Sequence, residues 1–197
     1  MPESKFVALH DTPDIYGYIE AYKDRTYVAL NSIPREPVAN AIRVIEDLRL
    51  CGWVFTCGNG GSHSIASHLA EDLLKCSKAD KGPRAFCLGD AAPTVMAIAN
   101  DISYDEIFAY QMERIDPADG CLVAFSGSGN SKNIIRAAEK AKELELVSIG
   151  VTTICGGKLK DLVDIPICIA SANMAALEDA FQVVAHMIAY SFIEDAP

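Results

Sequence analysis

No stretch of this 197-residue sequence approaches the roughly 18 consecutive apolar residues of a membrane-spanning helix, although half of its residues are apolar. No membrane role is expected. Nor is disorder, because that apolar fraction can fill one core in a chain of single-domain length. Basic tracts are missing too. Lys and Arg number 17 against 27 Asp and Glu, for a formal charge of −10. That balance argues against a nucleic-acid partner, and any anion must be held by local groups against an unfavourable overall field. The seven cysteines (Cys51, Cys57, Cys76, Cys87, Cys121, Cys155 and Cys168) include no C-x-x-C pair. An odd count without zinc spacing reads as reduced thiols of a cytoplasmic protein, most of them small hydrophobes in apolar runs. The opening MPESKFVALHD lacks the basic segment and apolar core of a signal peptide. Neither a Walker loop nor the Rossmann fingerprint occurs, so no nucleotide cofactor is expected.

What the sequence does have is order. Ile15 to Asn31 carries apolar residues at mixed helical spacing. Pro34 opens a second amphipathic stretch through Val38, Ile42, Ile45 and Leu48, which Gly52 ends. Short apolar runs then alternate with helical segments. Strands are predicted at Trp53–Cys57, Arg84–Leu88, Cys121–Phe125, Val147–Val151 and Ile165–Ile169. Helices are predicted at His63–Lys75, Pro93–Ile98, Asp105–Met112, Lys132–Leu144 and Asn173–Ile193. This alternation predicts an α/β fold, a doubly wound three-layer sandwich around a five-stranded parallel sheet. The chain reads as one domain, 1–197, whose helices within residues 1–50 pack on the sandwich or on another subunit. Right-handed crossovers place ligands at the carboxyl ends of the strands.

Two turns stand at such ends. Gly58-Asn59-Gly60-Gly61-Ser62 follows the first strand, with Ser62 as an expected N-cap for the next helix. Ser126-Gly127-Ser128-Gly129-Asn130-Ser131 follows the third and opens Lys132–Leu144. Hydroxyls and unpaired N–H groups at a helix start form a neutral nest for phosphate. Ala99-Asn100-Asp101 reads as an Asn/Asp turn beyond a short helix.

Acid and imidazole groups fall into two helix stripes. His68 and Asp72 are four residues apart, with Glu71 also in reach of His68. Glu178, Gln182 and His186 recur every four residues on the last helix, and only four histidines occur in the chain. If the stripes converge, His68, Asp72, Glu178 and His186 could hold a divalent metal such as zinc. The same groups could instead perform metal-free acid/base catalysis. Spacing leaves both open.

Taken together, GNGGS, H-x-x-E-D, AND, SGSGNS and E-x-x-x-Q-x-x-x-H resemble the sugar isomerase (SIS) domain, and within it the sedoheptulose 7-phosphate, or phosphoheptose, isomerases. The resemblance runs from about residue 35 to the end of the chain. It implies a homotetramer with active sites shared between subunits and a phosphorylated sugar as substrate. The implied reaction makes D-glycero-D-manno-heptose 7-phosphate, for bacterial surface polysaccharide. Carried over by position, Asn59 and Ser62 would contact the sugar and Asp101 would line the pocket, while Ser126, Ser128 and Ser131 would bind the phosphate. Gly60, Gly127 and Glu178 complete the implied substrate-binding set. His68 matches a metal-ligand histidine and His186 an acid/base histidine, with zinc as the implied metal. Asp72 stands where a catalytic glutamate is usual, Glu178 where a glutamine is, and Gly127 where a threonine is common. Two alternatives to a heptose phosphate isomerase stay open: a non-catalytic SIS protein that senses a sugar phosphate or binds the replication initiator, and an isomerase of another sugar phosphate.

Overall fold

The computed structural model describes residues 14–48, 52–76, 83–115 and 117–192. The MPESKFVALHD segment, Cys51 and Ile193 lie outside the described residues. Five strands form one parallel sheet: β1 (Trp53–Cys57), β2 (Arg84–Cys87), β3 (Gly120–Phe125), β4 (Val147–Thr153) and β5 (Ile165–Ile169). Their spatial order is β2-β1-β3-β4-β5. Period-two alternation divides the strand side chains between two cores. Val54, Cys121, Val123 and Phe125 face one side, and Phe55, Leu122 and Ala124 face the other. Both faces are covered, so every residue of β3 is buried.

The helices are α1 (Ile15–Asn31), α2 (Arg35–Asp47), α3 (Gly61–Cys76), α4 (Ala92–Asp101), α5 (Ala109–Ile115), α6 (Lys132–Glu143), α7 (Leu159–Leu162) and α8 (Met174–Tyr190). Ile45 of α2, Leu69 and Leu73 of α3, and Phe181 and Val184 of α8 fill the first core. Phe108, Met112, Ile134 and Ala137 fill the second. Helices α1 and α2 pack on the sandwich. Tyr22 and Thr26 donate hydrogen bonds to Asp179 of α8 (2.7 and 3.2 Å), and the Ser32 hydroxyl accepts from the amide of Ala170 (2.9 Å). Ile15, Tyr16, Ile19, Tyr27 and Val28 of α1 remain exposed. Among the described residues, no helix is long and apolar enough to cross a membrane.

Three local expectations change. The segment read as one helix, Asp105–Met112, is a 3-10 turn at Tyr104–Glu106 followed by α5. Asn100 and Asp101 are the last residues of α4, not a turn beyond it. Ser62 is not the N-cap of α3. Gly60, at φ +56°, accepts the first helical bonds from the amides of His63 and Ser64 (3.0 and 3.3 Å), so the helix begins one residue before Ser62. Positive φ suits glycine at that corner.

Candidate active site

β1 leads outward to β2 on one side, and the chain then crosses to β3 on the other side. Strand order therefore reverses between β1 and β3, where a parallel sheet opens a crevice at its carboxyl edge. Both glycine- and serine-rich turns leave from there. They are tied by a pair of amides: Asn59 Nδ2 donates to Asn133 Oδ1 (2.9 Å), and Asn133 Nδ2 donates to Asn59 Oδ1 (2.8 Å). The Tyr104 hydroxyl also donates to Asn59 Oδ1 (3.1 Å). Asn133 is fully buried. It escaped the sequence reading because a lone asparagine in the first turn of a helix carries no signal until its cross-sheet partner is known. Asp101 is exposed, and its carboxylate accepts from neighbouring Asn100 (2.8 Å). Tyr104, three residues on, is the group that reaches Asn59.

The serine turn is braced from within. Ser126 is buried, and its hydroxyl accepts from the amide of Gly129 (3.1 Å). The Ser128 hydroxyl, exposed, accepts from the amide of Asn130 (3.2 Å). Asn130 in turn holds the next loop, accepting from the amide of Lys158 (3.1 Å). Ser131 occupies the N-cap position of α6 without a capping bond from its hydroxyl. The first-turn N–H groups of α6 and the Ser131 hydroxyl are of the kind that can seat an anion. Gly127 lies against α8: a Cβ there would stand 2.6 Å from Met174 Sδ.

Helix α8 continues past the first turn to the imidazole groups. Glu178 leans over the start of α3, its two carboxylate oxygens 2.6 Å from the position a Cβ on Gly61 would take. A carboxylate is favoured there by the unpaired N–H groups of the helix start. Ser62, beside it, is buried. One turn farther along α8, Gln182 Nε2 sits 3.1 Å from His68 Nδ1 and 2.9 Å from His186 Nε2. The two rings meet edge to face at 5.2 Å. Asp72 is only 1% exposed, with Oδ2 3.5 Å from His68 Nε2 and 4.0 Å from His186 Nε2. Its Oδ1 faces Lys75 Nζ at 3.2 Å, and Lys75 also meets Glu71 (3.2 Å). Hydrogen bonding to Asp72 and then Glu71 pushes the Lys75 ammonium up to about 12.

The two polar stripes thus converge, with one change of membership. One donor atom each from His68, Asp72 and His186 lies within 4.8 Å of the others. Glu178 does not join them within the chain, because eight residues of helix separate it from His186 by about 12 Å along the axis. Gln182 takes the central place. Glu71 approaches His68 Nε2 only to 3.9 Å and is half exposed. Two imidazoles and one buried carboxylate, whose Oδ1 is turned to Lys75 and whose Oδ2 faces both rings, suit a divalent ion with an open position. The same three groups suit proton transfer.

The SIS domain profile matches residues 18–153. The chain belongs to the SIS domain family. The phosphoheptose isomerase of Helicobacter pylori is 34% identical over 169 residues, 85% of this chain and 88% of that protein. The phosphoheptose isomerase structure from Neisseria gonorrhoeae superimposes with a TM-score of 0.82 at 25% identity, covering 91% of this chain and 98% of that one. The Francisella tularensis phosphoheptose isomerase gives 0.81 at 28% identity, over 92% and 97%. Within the SIS family the chain therefore sits among phosphoheptose isomerases in sequence and in fold.

Proposed function

We propose that this chain is a cytoplasmic phosphoheptose isomerase that interconverts sedoheptulose 7-phosphate and D-glycero-D-manno-heptose 7-phosphate. The observation that carries the reading is the meeting of a buried carboxylate, Asp72, with His68 and His186 on the helix that also skirts the serine turn. Met174, beside that turn, and Gln182, between the imidazoles, are about 12 Å apart along α8. An extended sugar with phosphate at one end suits such a span.

In this reading the serine turn holds the phosphate. Asn59 and Glu178 face the sugar hydroxyls. Asp72 takes a proton from C1 of the ketose, the electrons form the C1–C2 double bond of an enediol, and the proton returns to C2. His186 moves a proton between O1 and O2, and Gln182 holds its ring in place. A divalent ion, zinc for example, held by His68, Asp72 and His186 would supply charge stabilisation for the enediolate oxygens. The protein acts as a homotetramer with shared sites. The exposed large apolar and aromatic residues of α1 support assembly, since such groups mark interfaces.

The test is incubation of purified protein with sedoheptulose 7-phosphate, followed by NMR, with zinc and after chelation. Appearance of the aldose 7-phosphate supports the reading. Inertness in both conditions sinks this substrate, and inertness across a panel of ketose phosphates sinks the isomerase.

A further inference from the structure

A second group of donors lies at the opposite side of α3. His63 Nδ1 is 3.6 Å from Cys87 Sγ, and His63 Nε2 is 3.5 Å from Asp90 Oδ1. One donor atom from each of the three lies within 4.8 Å of the others. His63 and His68 are five residues apart on one helix, so they point about 140° apart and serve different sites. The neighbourhood is shaped around the imidazole. Gly89 has no side chain there, and a Cβ on it would stand 2.5 Å from His63 Nδ1 and Cε1. The Ser67 hydroxyl donates to the second oxygen of Asp90 (3.0 Å), orienting the carboxylate. Cys87 is buried, while His63 and Asp90 reach the surface. A cavity of about 560 Å³ opens beside them, lined by Ser67, Glu71, Lys75, Cys87 and Asp90 among others.

We propose that His63, Cys87 and Asp90 form a second divalent-metal site, of the zinc type, with one coordination position open towards this cavity. Zinc bonds of about 2.0 Å to nitrogen and about 2.3 Å to sulfur, at a tetrahedral angle, set the two donors about 3.5 Å apart. The distance between His63 Nδ1 and Cys87 Sγ, 3.6 Å, matches that edge, while Asp90 lies nearest the other ring nitrogen and has to join the ion from within the 4.8 Å that separates the three donors. One thiolate, one imidazole and one carboxylate favour zinc or cobalt over magnesium or calcium, which take oxygen donors. The ion ties the end of β2 to the first turn of α3, the helix that carries His68 and Asp72 farther along. This site does not depend on the isomerase reading.

Cobalt(II) is the probe, because a thiolate ligand adds a near-ultraviolet charge-transfer band that the sulfur-free His68–Asp72–His186 group cannot give. Metal-free full-length protein is titrated with Co²⁺, and bound metal is counted by elemental analysis after dialysis. The expected result is a band in the wild type, lost together with one equivalent of metal in Cys87→Ser and in His63→Ala. His63 is only partly buried, so its variant keeps the test sound if Cys87→Ser folds poorly. The band persists in His186→Ala and in Cys155→Ser, which removes a thiol exposed among the described residues. No band in the wild type, a band surviving either Cys87→Ser or His63→Ala, or one lost in Cys155→Ser overturns the proposal.

Discussion

The rings of His68 and His186 meet edge to face at 5.2 Å, on two helices far apart in sequence, with the amide of Gln182 against a nitrogen of each. One amide end touching both rings constrains the orientation and tautomer of each. An NH₂ group facing both needs an unprotonated nitrogen on each, whereas the carbonyl end would need a proton on each. Gln182 is thus a positioning residue for the pair. Gln182→Ala is expected to lower kcat about 10- to 100-fold, the usual effect of removing a group that orients a ligating or catalytic histidine. The loss should fall on kcat, with KM near its wild-type value. A loss carried equally by a raised KM would make the role merely structural.

In the proposed mechanism Asp72 is the base. Asp72→Asn keeps size and removes the base, so kcat should fall by about 10²- to 10⁴-fold while the phosphate anchor keeps KM near its wild-type value. Asp72→Glu tests the length of the side chain, because a base displaced by about 1 Å can lose about 100-fold in rate. Steady-state kinetics on sedoheptulose 7-phosphate reads both variants.

Lys75 reports the same carboxylate without any turnover. Asp72 first and Glu71 second favour its charged form and raise its pKa to about 12. Removing a negative neighbour lowers an ammonium pKa. In Asp72→Asn the Lys75 titration, followed by NMR at the side-chain carbon next to nitrogen, should therefore move down towards about 10.4, the ordinary lysine value. Glu71→Gln should move it down as well. No shift, or an upward one, in Asp72→Asn would contradict the pairing.

Much of this was legible in the residues. Five apolar runs bounded by turn residues are a strong pattern, and all five strands of the sheet lie where those runs predict, within two residues at their ends. The His68–Asp72 and Glu178–Gln182–His186 stripes were visible from spacing alone. Which member of the second stripe meets His68 was not. That depends on the axial offset between α3 and α8, which packing sets and periodicity does not encode. Helix starts were similarly obscured: Ser62 is a good cap by composition, yet Gly60 makes the corner and Glu178, from the distant α8, lies over the helix start. The Asn59–Asn133 pair needed the β1–β3 adjacency, which follows from topology rather than from either residue.

That pair makes its own prediction. Asn133 is buried, and truncating it leaves Asn59 Nδ2 without its acceptor while Oδ1 keeps the Tyr104 hydroxyl. Asn133→Ala should cost about 1–3 kcal/mol, the usual effect of orphaning buried polar groups. It should lower Tm and raise KM, because Asn59 loses its fixed orientation. Asn133→Asp can still accept from Asn59 Nδ2 but cannot donate to Oδ1, so it should fall between wild type and alanine. Thermal melts and KM together check the order.

The fit between Gly127 and α8 is testable by a double substitution. A Cβ on Gly127 would stand 2.6 Å from Met174 Sδ and 2.9 Å from its methyl carbon, inside any real carbon contact. Gly127→Ala therefore displaces either Met174 or the serine turn. Met174 is half exposed and flexible, so the thermal cost should be small, within about 1–3 kcal/mol for an overpacked position. The effect on phosphate binding should be larger, seen as a raised KM. Met174→Ala empties the volume that the new methyl needs, so the Gly127→Ala/Met174→Ala protein should recover KM most of the way. Coupling of this kind between touching residues runs to about 0.5–3 kcal/mol. Strict additivity would mean that the serine turn is placed by its own bonds to Gly129, Asn130 and Lys158, with no part played by α8.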